Sequence, residues 1–177
     1  MQFILVDRIL ELEAGRRIVA VKNLTLAEEY LAEHFPGFPV LPGVLMLEAI
    51  AQASAWLIRI TEDYAHSVIV LKSAKAVKYG NFVTPGRQLT LEAEITRSRD
   101  GEFDLKAEGN VDGVKTVSGR ITMEAYNLRD RDPALHSLDG EIVASLKKQF
   151  LVLARDWLRN TDNADASEHA RGAVVTV

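Results

Sequence analysis

Apolar residues recur at every second position in several segments of this chain, the pattern typical of β-strands with one buried face. The segment Gln88–Thr96 shows this alternation most clearly, and Asp112-Gly113 is a strong tight-hairpin signal between two later segments. Short turns of this kind join antiparallel strands. Six strands are predicted, at Phe3–Glu11, Arg17–Leu24, Ser67–Val77, Gln88–Thr96, Phe103–Val111 and Lys115–Tyr126.

A long apolar segment interrupts the strand pattern and predicts a helix from about Gly43 to Ile60. The segment is rich in alanine, so a sheet would be able to wrap closely around it. Ahead of it, Thr25 followed by Glu28 forms a capping-box signature, which predicts a short helix through Leu31. Several antiparallel strands and one long, slim helix indicate an α+β fold with the sheet curled around that helix.

The last third of the chain predicts a helical extension. The charged stretch Asn127–Leu135 is typical of a solvated linker, which divides the chain into a domain at 1–126 and an extension at 127–177. A second helix is predicted over about Asp139–Arg159, with one apolar face that would pack on the domain or on a partner subunit. The tail Asn160–Val177 is polar, except that its final AVVTV would suit a sheet edge. The apolar face of the helix predicted over Asp139–Arg159 consists of Ile142, Leu146, Phe150, Leu153 and Trp157.

Length and composition restrict the classes of function. The 177 residues suffice for one domain, and 47% hydrophobic with 26% charged residues is ordinary for a soluble globular protein. A net charge of -4 gives no support for nucleic-acid binding. The absence of cysteine excludes disulfides, thiol catalysis and cysteine-bound metal, and it fits a cytoplasmic location. Asp7 and Arg8 argue against a signal peptide, while Glu48 and three nearby prolines argue against a membrane span.

One short stretch, His34–Ser54, concentrates the residues with catalytic potential. It begins with a histidine, passes through three prolines and two glycines, and enters the apolar helix, where Glu48 is the only charge between Phe35 and Ile58. An unpaired carboxylate on so apolar a helix favours its protonated form, which is what a general acid needs. Both residues also have structural interpretations, since a lone histidine before a turn is more often structural and a lone glutamate can reach solvent.

The helix start adds a third element to this stretch. Gly43 lies where the first N–H groups of a helix have no internal partner, and these groups with the helix dipole favour a developing oxyanion. Gln52 lies one turn beyond Glu48 on the same face and is a candidate to hydrogen-bond the carboxyl group or, alternatively, a buried backbone group. The crowded turn also predicts a strained backbone near His34-Phe35, with a cis peptide bond as one form of that strain.

The segment HFPGFPVLPGVLMLEAIAQAS resembles the active-site motif of the 3-hydroxyacyl-acyl-carrier-protein dehydratases of fatty-acid synthesis. It is similar to the branch with His and Glu rather than to the isomerising branch with His and Asp. The stretches Ile4–Thr25 and Ala74–Ile95, the latter with a V-x-P-G turn, are similar to strands of the same family. The resemblance covers Phe3–Tyr126 and implies the hot-dog fold, here followed by a C-terminal helical extension.

The resemblance also implies a role for each residue of the motif. His34 is expected to act as the base, and Glu48 as the acid or as the group that orients the leaving water. The backbone N–H of Gly43, with that of Val44, is expected to hold the thioester oxygen, and Gln52 is a further candidate for binding. Neither a metal nor an organic cofactor is implied. The two catalytic side chains are expected to come from different subunits of a homodimer or higher homo-oligomer.

An acidic acyl carrier protein is the implied partner, and no role for nucleic acid or a membrane is implied. A basic patch would attract this carrier protein, and it is formed by Lys72, Lys75 and Lys78, with Arg87 nearby. Such a pattern of lysines is also typical of a solvated face. Three other functions stay open: a hot-dog acyl thioesterase, an isomerising dehydratase and a non-catalytic acyl-binding subunit. The His–Glu pairing argues against the first, glutamate in place of aspartate against the second, and the intact pair against the third.

Overall fold

The computed structural model describes residues 3–35 and 37–161. They form a six-stranded antiparallel sheet in the order β1-β2-β4-β5-β6-β3, so β1 and β3 are its edge strands. The strands are β1 Arg8–Glu13, β2 Arg17–Asn23, β3 Val68–Tyr79, β4 Gln88–Arg99, β5 Glu102–Val111 and β6 Val114–Tyr126. The helices are α1 Tyr30–Glu33, α2 Gly43–Thr61 and α3 His136–Leu153.

The sheet curls around α2, the long central helix predicted from the sequence. Five of the six strands, β2 to β6, pack against it. Ala49, Ala53 and Leu57 are completely buried on α2, and the two alanines let the strands approach the helix axis closely. These side chains join the inward-facing residues of the strands in one hydrophobic core. The hot-dog architecture is therefore confirmed.

By length and apolar composition, α2 is also the one helix among the described residues that would reach across a membrane. More than half of its most apolar window, 56%, is buried inside the protein. Its apolar character is explained by its place in the core of the sheet, as expected for the central helix of this architecture.

The strand pairing follows the alternation in the sequence. Ile18 of β2 pairs with Ala93 of β4, and Ala20 pairs with Leu91. All four of these side chains are buried. The predicted tight turn between β5 and β6 is present as well. Asp112 and Gly113 have φ angles of 51° and 78°, both in the left-handed region that a two-residue hairpin of type I′ requires.

Two local predictions are wrong. β1 begins at Arg8, later than predicted, because the backbone at the start of the chain bonds to a side chain of α2. The short helix begins at Tyr30 and not directly after Thr25, so the predicted capping box does not form. Glu28, which would have completed that box, instead forms an ion pair with the buried Lys22.

The C-terminal extension is helical and packs on the domain of its own chain. α3 begins at His136 rather than at Asp139, and after a turn at Ala154 residues 155–161 are helical as well. The final AVVTV segment lies outside the described residues. Four of the five predicted residues of the apolar face pack on the core, namely the buried Leu153 and the half-buried Leu146, Phe150 and Trp157. Ile142 is half-buried and does not belong to that cluster.

Asp139 fixes α3 to the sheet. Its side-chain carboxylate accepts hydrogen bonds from the N–H groups of Leu128 at 2.8 Å and Arg129 at 3.1 Å. It also accepts one from the hydroxyl of Ser67, directly before β3. Because the residue is only 5% exposed, these bonds are shielded from water. The start of α3, the segment after β6 and the start of β3 are thus joined at one buried carboxylate.

Candidate active site

At the start of α2, two backbone N–H groups have no hydrogen-bond partner among the described residues. The carbonyl of Pro42 accepts bonds from the N–H groups of Leu45 at 2.9 Å and Met46 at 3.1 Å. The N–H groups of Gly43 and Val44 precede the first residue that can bond within the helix, so they stay available for a ligand. The side chain of Val44 is 70% exposed, so only its backbone belongs to this group.

At Gly43, the ring of Tyr79 approaches the start of α2 closely. A Cβ atom added there would lie 3.1 Å from Cε1 of Tyr79, the last residue of β3. That distance is tighter than an ordinary van der Waals contact, so the absence of a side chain at Gly43 lets the Tyr79 ring cover the helix start. Tyr79 was not predictable as a site residue from the sequence, because its position over α2 depends on the path of β3.

His34 caps the carboxyl end of α1. Its N–H donates to the carbonyl of Tyr30 at 3.2 Å, and its ring lies 4.4 Å from the ring of Phe35. Phe35 has a φ of 50°, and its carbonyl accepts a bond from the N–H of Phe38 at 2.7 Å. The predicted backbone strain is thus present as a left-handed, non-glycine residue beside His34. None of the peptide bonds that the structure describes is cis.

His34 and Gly43 line the same cavity. It has a volume of about 300 Å³ and lies between the turn before α2 and the end of β3. Gly43, whose N–H is unpartnered, and His34 therefore border a shared space, which is the arrangement needed to hold a carbonyl oxygen near a base, whereas Val44 does not line this cavity. The cavity is lined by His34, Phe35, Val40, Leu41, Gly43, Met46, Tyr79, Gly80, Asn81 and Phe82.

Glu48 is half-buried on α2 and hydrogen-bonded by Gln52. The amide nitrogen of Gln52 donates to Oε1 of Glu48 at 2.9 Å and to the carbonyl of Phe3 at 2.9 Å. The amide oxygen of Gln52 accepts from the N–H of Leu5, also at 2.9 Å. Gln52 therefore serves both of the groups that the sequence analysis proposed for it, the carboxyl group and the backbone.

Glu48 and Gln52 line a second cavity, which has a volume of about 380 Å³. The structure thus brings His34 together with Gly43, and Glu48 together with Gln52, but within one chain the two pairs line different cavities. The second cavity is lined by Phe3, Ile4, Glu48, Ala51, Gln52, Ala55, Trp56, Arg59, Ile69, Val70, Leu71, Met123, Leu146 and Gln149.

Arg59 is a charged residue of this second cavity that the sequence analysis missed. It lies on the same face of α2 as Glu48 and Gln52, and that spacing was readable in the sequence. Its guanidinium carbon is 5.1 Å from the centre of the Trp56 ring, and its Nε atom is buried without a hydrogen-bond partner among the described residues. Burial lowers the pKa of Arg59 to about 10, although the nearby Tyr64 opposes this effect.

The surface charges differ from the predicted basic patch. Lys72 forms ion pairs with Glu102 and, at 3.6 Å, with Glu124. Arg87 forms one with Asp112 at 2.5 Å. Of the patch, Lys75 and Lys78 are exposed and have no ion pair within the described ranges. Residues 3–35 and 37–161 contain no cluster of three or more His, Asp or Glu side chains suited to hold a metal ion.

Comparison with known proteins identifies the family. A sequence model described as the FabA-like domain matches residues 1–123. The chain is 43% identical over 119 residues to 3-hydroxyacyl-[acyl-carrier-protein] dehydratase FabZ of Ruminiclostridium cellulolyticum, which covers 67% of this chain and 84% of the relative. It is 44% identical over 124 residues to the protein of the same name from Albidiferax ferrireducens, covering 68% and 82%.

Solved structures support the fold. The dehydratase heterocomplex ApeI:P from Xenorhabdus doucetiae matches with a TM-score of 0.61 at 18% identity, over 75% of this chain and 90% of that one. The protein smu.793 from Streptococcus mutans, bound to acetyl CoA, matches with a TM-score of 0.52 at 13% identity, over 67% and 86%. Together with the match over residues 1–123, the curated relatives show that this chain belongs to the FabA-like family, among the relatives of 3-hydroxyacyl-[acyl-carrier-protein] dehydratase FabZ.

Proposed function

We propose that this chain catalyses the dehydration of (3R)-3-hydroxyacyl-acyl-carrier-protein to trans-2-enoyl-acyl-carrier-protein in fatty-acid biosynthesis. The observation that carries the proposal is the cavity that His34 shares with Gly43, the first residue of α2. The curated relatives carry the name of this activity. For the same reason, a thioesterase, an isomerising dehydratase and a non-catalytic acyl-binding subunit are not favoured.

The chemistry assigns one task to each group. His34 removes a proton from C2 of the acyl chain, and the N–H groups of Gly43 and Val44 stabilise the negative charge that develops on the thioester oxygen. The C2–H electron pair becomes the C2–C3 double bond as the C3–O bond breaks. Glu48 gives its proton to the departing hydroxyl group, which leaves as water. The proton taken by His34 returns to Glu48 before the next turnover.

The two cavities suggest that a complete site needs two copies of the chain. β3 is an edge strand, and an exposed edge is normally covered or paired in natural proteins. Pairing of two β3 strands around a twofold axis would set the α2 helices side by side and create two equivalent sites. In each site, His34 and Gly43 of one subunit would meet Glu48 and Gln52 of the other. The assembly is then a homodimer, or a higher oligomer built from such dimers.

The substrate carrier would approach the mouth of the His34 cavity. The exposed Lys75 and Lys78 lie on β3 just before Tyr79, which lines that cavity. An acidic acyl carrier protein would be attracted to these two charges, which are not paired with carboxylates among the described residues. Fatty-acid synthesis on such a carrier, together with the absence of cysteine, fits a cytoplasmic location.

Subunit mixing tests the function and the shared site together. We expect His34→Ala and Glu48→Gln to be nearly inactive alone in the hydration of a crotonyl thioester, followed by loss of enoyl absorbance. When the two variants exchange subunits, each heterodimer contains one site with both defects and one with neither. Activity should therefore return as heterodimers form.

Two controls make the result decisive. Each variant mixed with itself under the same conditions should stay inactive, and mass spectrometry of tagged subunits should demonstrate exchange. If exchange occurs and activity does not return, the shared site is rejected and the pair must act within one chain. If either single variant keeps the rate of the unmodified protein, the assignment of His34 and Glu48 is rejected.

A further inference from the structure

α3 contributes to the cavity that contains Glu48, although it lies outside the part of the chain that matches the family. The FabA-like match ends at residue 123, and α3 spans His136–Leu153. Leu146 and Gln149 of α3 line the cavity together with the residues of α2 that include Glu48. The bonds of Asp139 to Ser67 and to the segment after β6 hold α3 in that place. The wall is therefore an ordered part of this protein that the family-matched region does not supply.

The cavity extends along α2 from Glu48 to Arg59. These residues are eleven positions apart on one helix, which corresponds to about 16 Å at about 1.5 Å per residue. Between them α2 lines the cavity with the small residues Ala51 and Ala55 and with the larger Gln52 and Trp56. Apolar side chains on the other sides include Ile69, Leu71, Met123 and Leu146. An elongated space with these apolar side chains on its walls suits an acyl chain that starts at the Glu48 end.

The other end of the cavity is polar. Arg59 and Gln149 line it there, and the buried Nε of Arg59 has no hydrogen-bond partner among the described residues. The Nε atom itself is out of reach of solvent, but Arg59 and Gln149 are only half-buried, so water can bind the polar atoms that face the cavity. An apolar chain terminus that reached these atoms would displace that water without replacing its hydrogen bonds, and a guanidinium group that loses its hydration is costly.

We propose that α3 and Arg59 limit the length of the acyl chain that this site accepts. In this arrangement Leu146 sets the width of the cavity, and Arg59 with Gln149 penalises chains long enough to reach the polar end. Short and medium chains are then processed well and long saturated chains poorly. The inference rests on the proposed function, because it takes the Glu48 cavity as the place of the acyl chain.

The test compares the hydration of crotonyl, octenoyl and hexadecenoyl thioesters presented on acyl carrier protein. Leu146→Trp narrows the cavity, so kcat/KM for the hexadecenoyl substrate should fall about tenfold or more relative to the crotonyl substrate. Arg59→Met removes the charge at nearly constant volume, so kcat/KM for the hexadecenoyl substrate should rise about tenfold relative to that for the crotonyl substrate. Val152→Trp is the matched control, because Val152 lies on α3 but is 74% exposed.

The outcomes separate this proposal from the proposed function. Activity on the crotonyl substrate that matches the unmodified protein verifies folding and the dehydratase chemistry in each variant. A chain-length profile that both cavity variants leave unchanged would overturn the length limit while the dehydratase function stands. Equal losses on all three substrates would give α3 a purely structural role and would overturn it as well. If Leu146→Trp does not fold, the ratio for Arg59→Met decides alone.

Discussion

Gln52 donates a hydrogen bond of 2.9 Å to the carboxylate of Glu48 from one turn further along α2. The same side chain bonds to the backbone of Phe3 and Leu5, which places the start of the chain across the Glu48 cavity. Glu48 is thus held by a group that is itself fixed at two further points. A carboxyl group oriented by such a fixed donor is preorganised for proton transfer to a substrate.

Replacement of Gln52 by Leu should therefore affect both stability and catalysis. The backbone groups of Phe3 and Leu5 lose their partner, so the free energy of unfolding should fall by about 1–3 kcal/mol in urea titrations. Glu48 loses its positioning residue, so kcat should fall while KM changes little, because the carboxyl group acts in the transition state. A loss of stability with unchanged kcat would leave Gln52 a structural role only.

The proposed base His34 and the proposed acid Glu48 should each increase the rate of the reaction by a large factor. We expect His34→Ala and Glu48→Gln to lower turnover on a crotonyl thioester by about 10²–10⁴-fold, the usual range for general acid–base groups. His136→Ala and Glu94→Gln are matched controls, since both residues are exposed and line neither of the two cavities. Circular dichroism should show that all four variants remain folded.

Gly43→Ala should damage the site more than the fold. The new Cβ would lie 3.1 Å from the Tyr79 ring, but Tyr79 is 50% exposed and its ring can move, so the cost in stability should be small. Displacement of the ring and the helix start should lower turnover by up to about a hundredfold. The double variant Gly43→Ala, Tyr79→Leu should recover part of that loss. Losses that simply add in the double variant would exclude crowding as the cause.

Asp139 should make stability depend on pH. Burial by itself raises the pKa of Asp139, but hydrogen bonds from Ser67 and from two backbone N–H groups outweigh it and hold the pKa below its usual value. A carboxyl group whose pKa is lower in the folded than in the unfolded protein stabilises the folded state. This contribution is fully present at pH values above the pKa of the unfolded state, and it is lost as the pH falls through the pKa of the folded state.

The variant Asp139→Asn measures this contribution. Urea titrations should show the variant less stable than the unmodified protein at neutral pH. The difference between the two should shrink as the pH is lowered through the acid range, because the carboxyl group of Asp139 is then neutral in both states. A difference in unfolding free energy that does not change with pH would show that the charge on Asp139 does not contribute.

The central part of the fold was predictable because its signals are local. A proline followed by an apolar, alanine-rich run predicted α2 to within one residue of its observed ends at Gly43 and Thr61. The hairpin at Asp112-Gly113 was predictable because few residue pairs adopt two successive left-handed conformations. Backbone strain beside His34 followed from the crowded turn, although its form, a positive φ at Phe35, did not.

The errors arose where a side chain bonds to a partner outside its own predicted element. Thr25 and Glu28 match the capping box in sequence, but Glu28 pairs with Lys22 and the helix starts later. The sequence predicts a start of α3 at Asp139, but the helix begins at His136 and the carboxylate of Asp139 bonds to backbone at 128–129 and to Ser67. The distribution of His34 and Glu48 between two cavities depends on the path of the sheet around α2, which no local pattern encodes.

The separation of His34 and Glu48 within one chain has a consequence for newly made protein. If each active site is built from two subunits, a single folded chain is a precursor with no turnover of its own. At concentrations below the dissociation constant of the dimer, the total rate then rises with the square of the chain concentration rather than in proportion to it. Synthesis of the enzyme would be followed by a lag, whose length is set by the encounter of two chains.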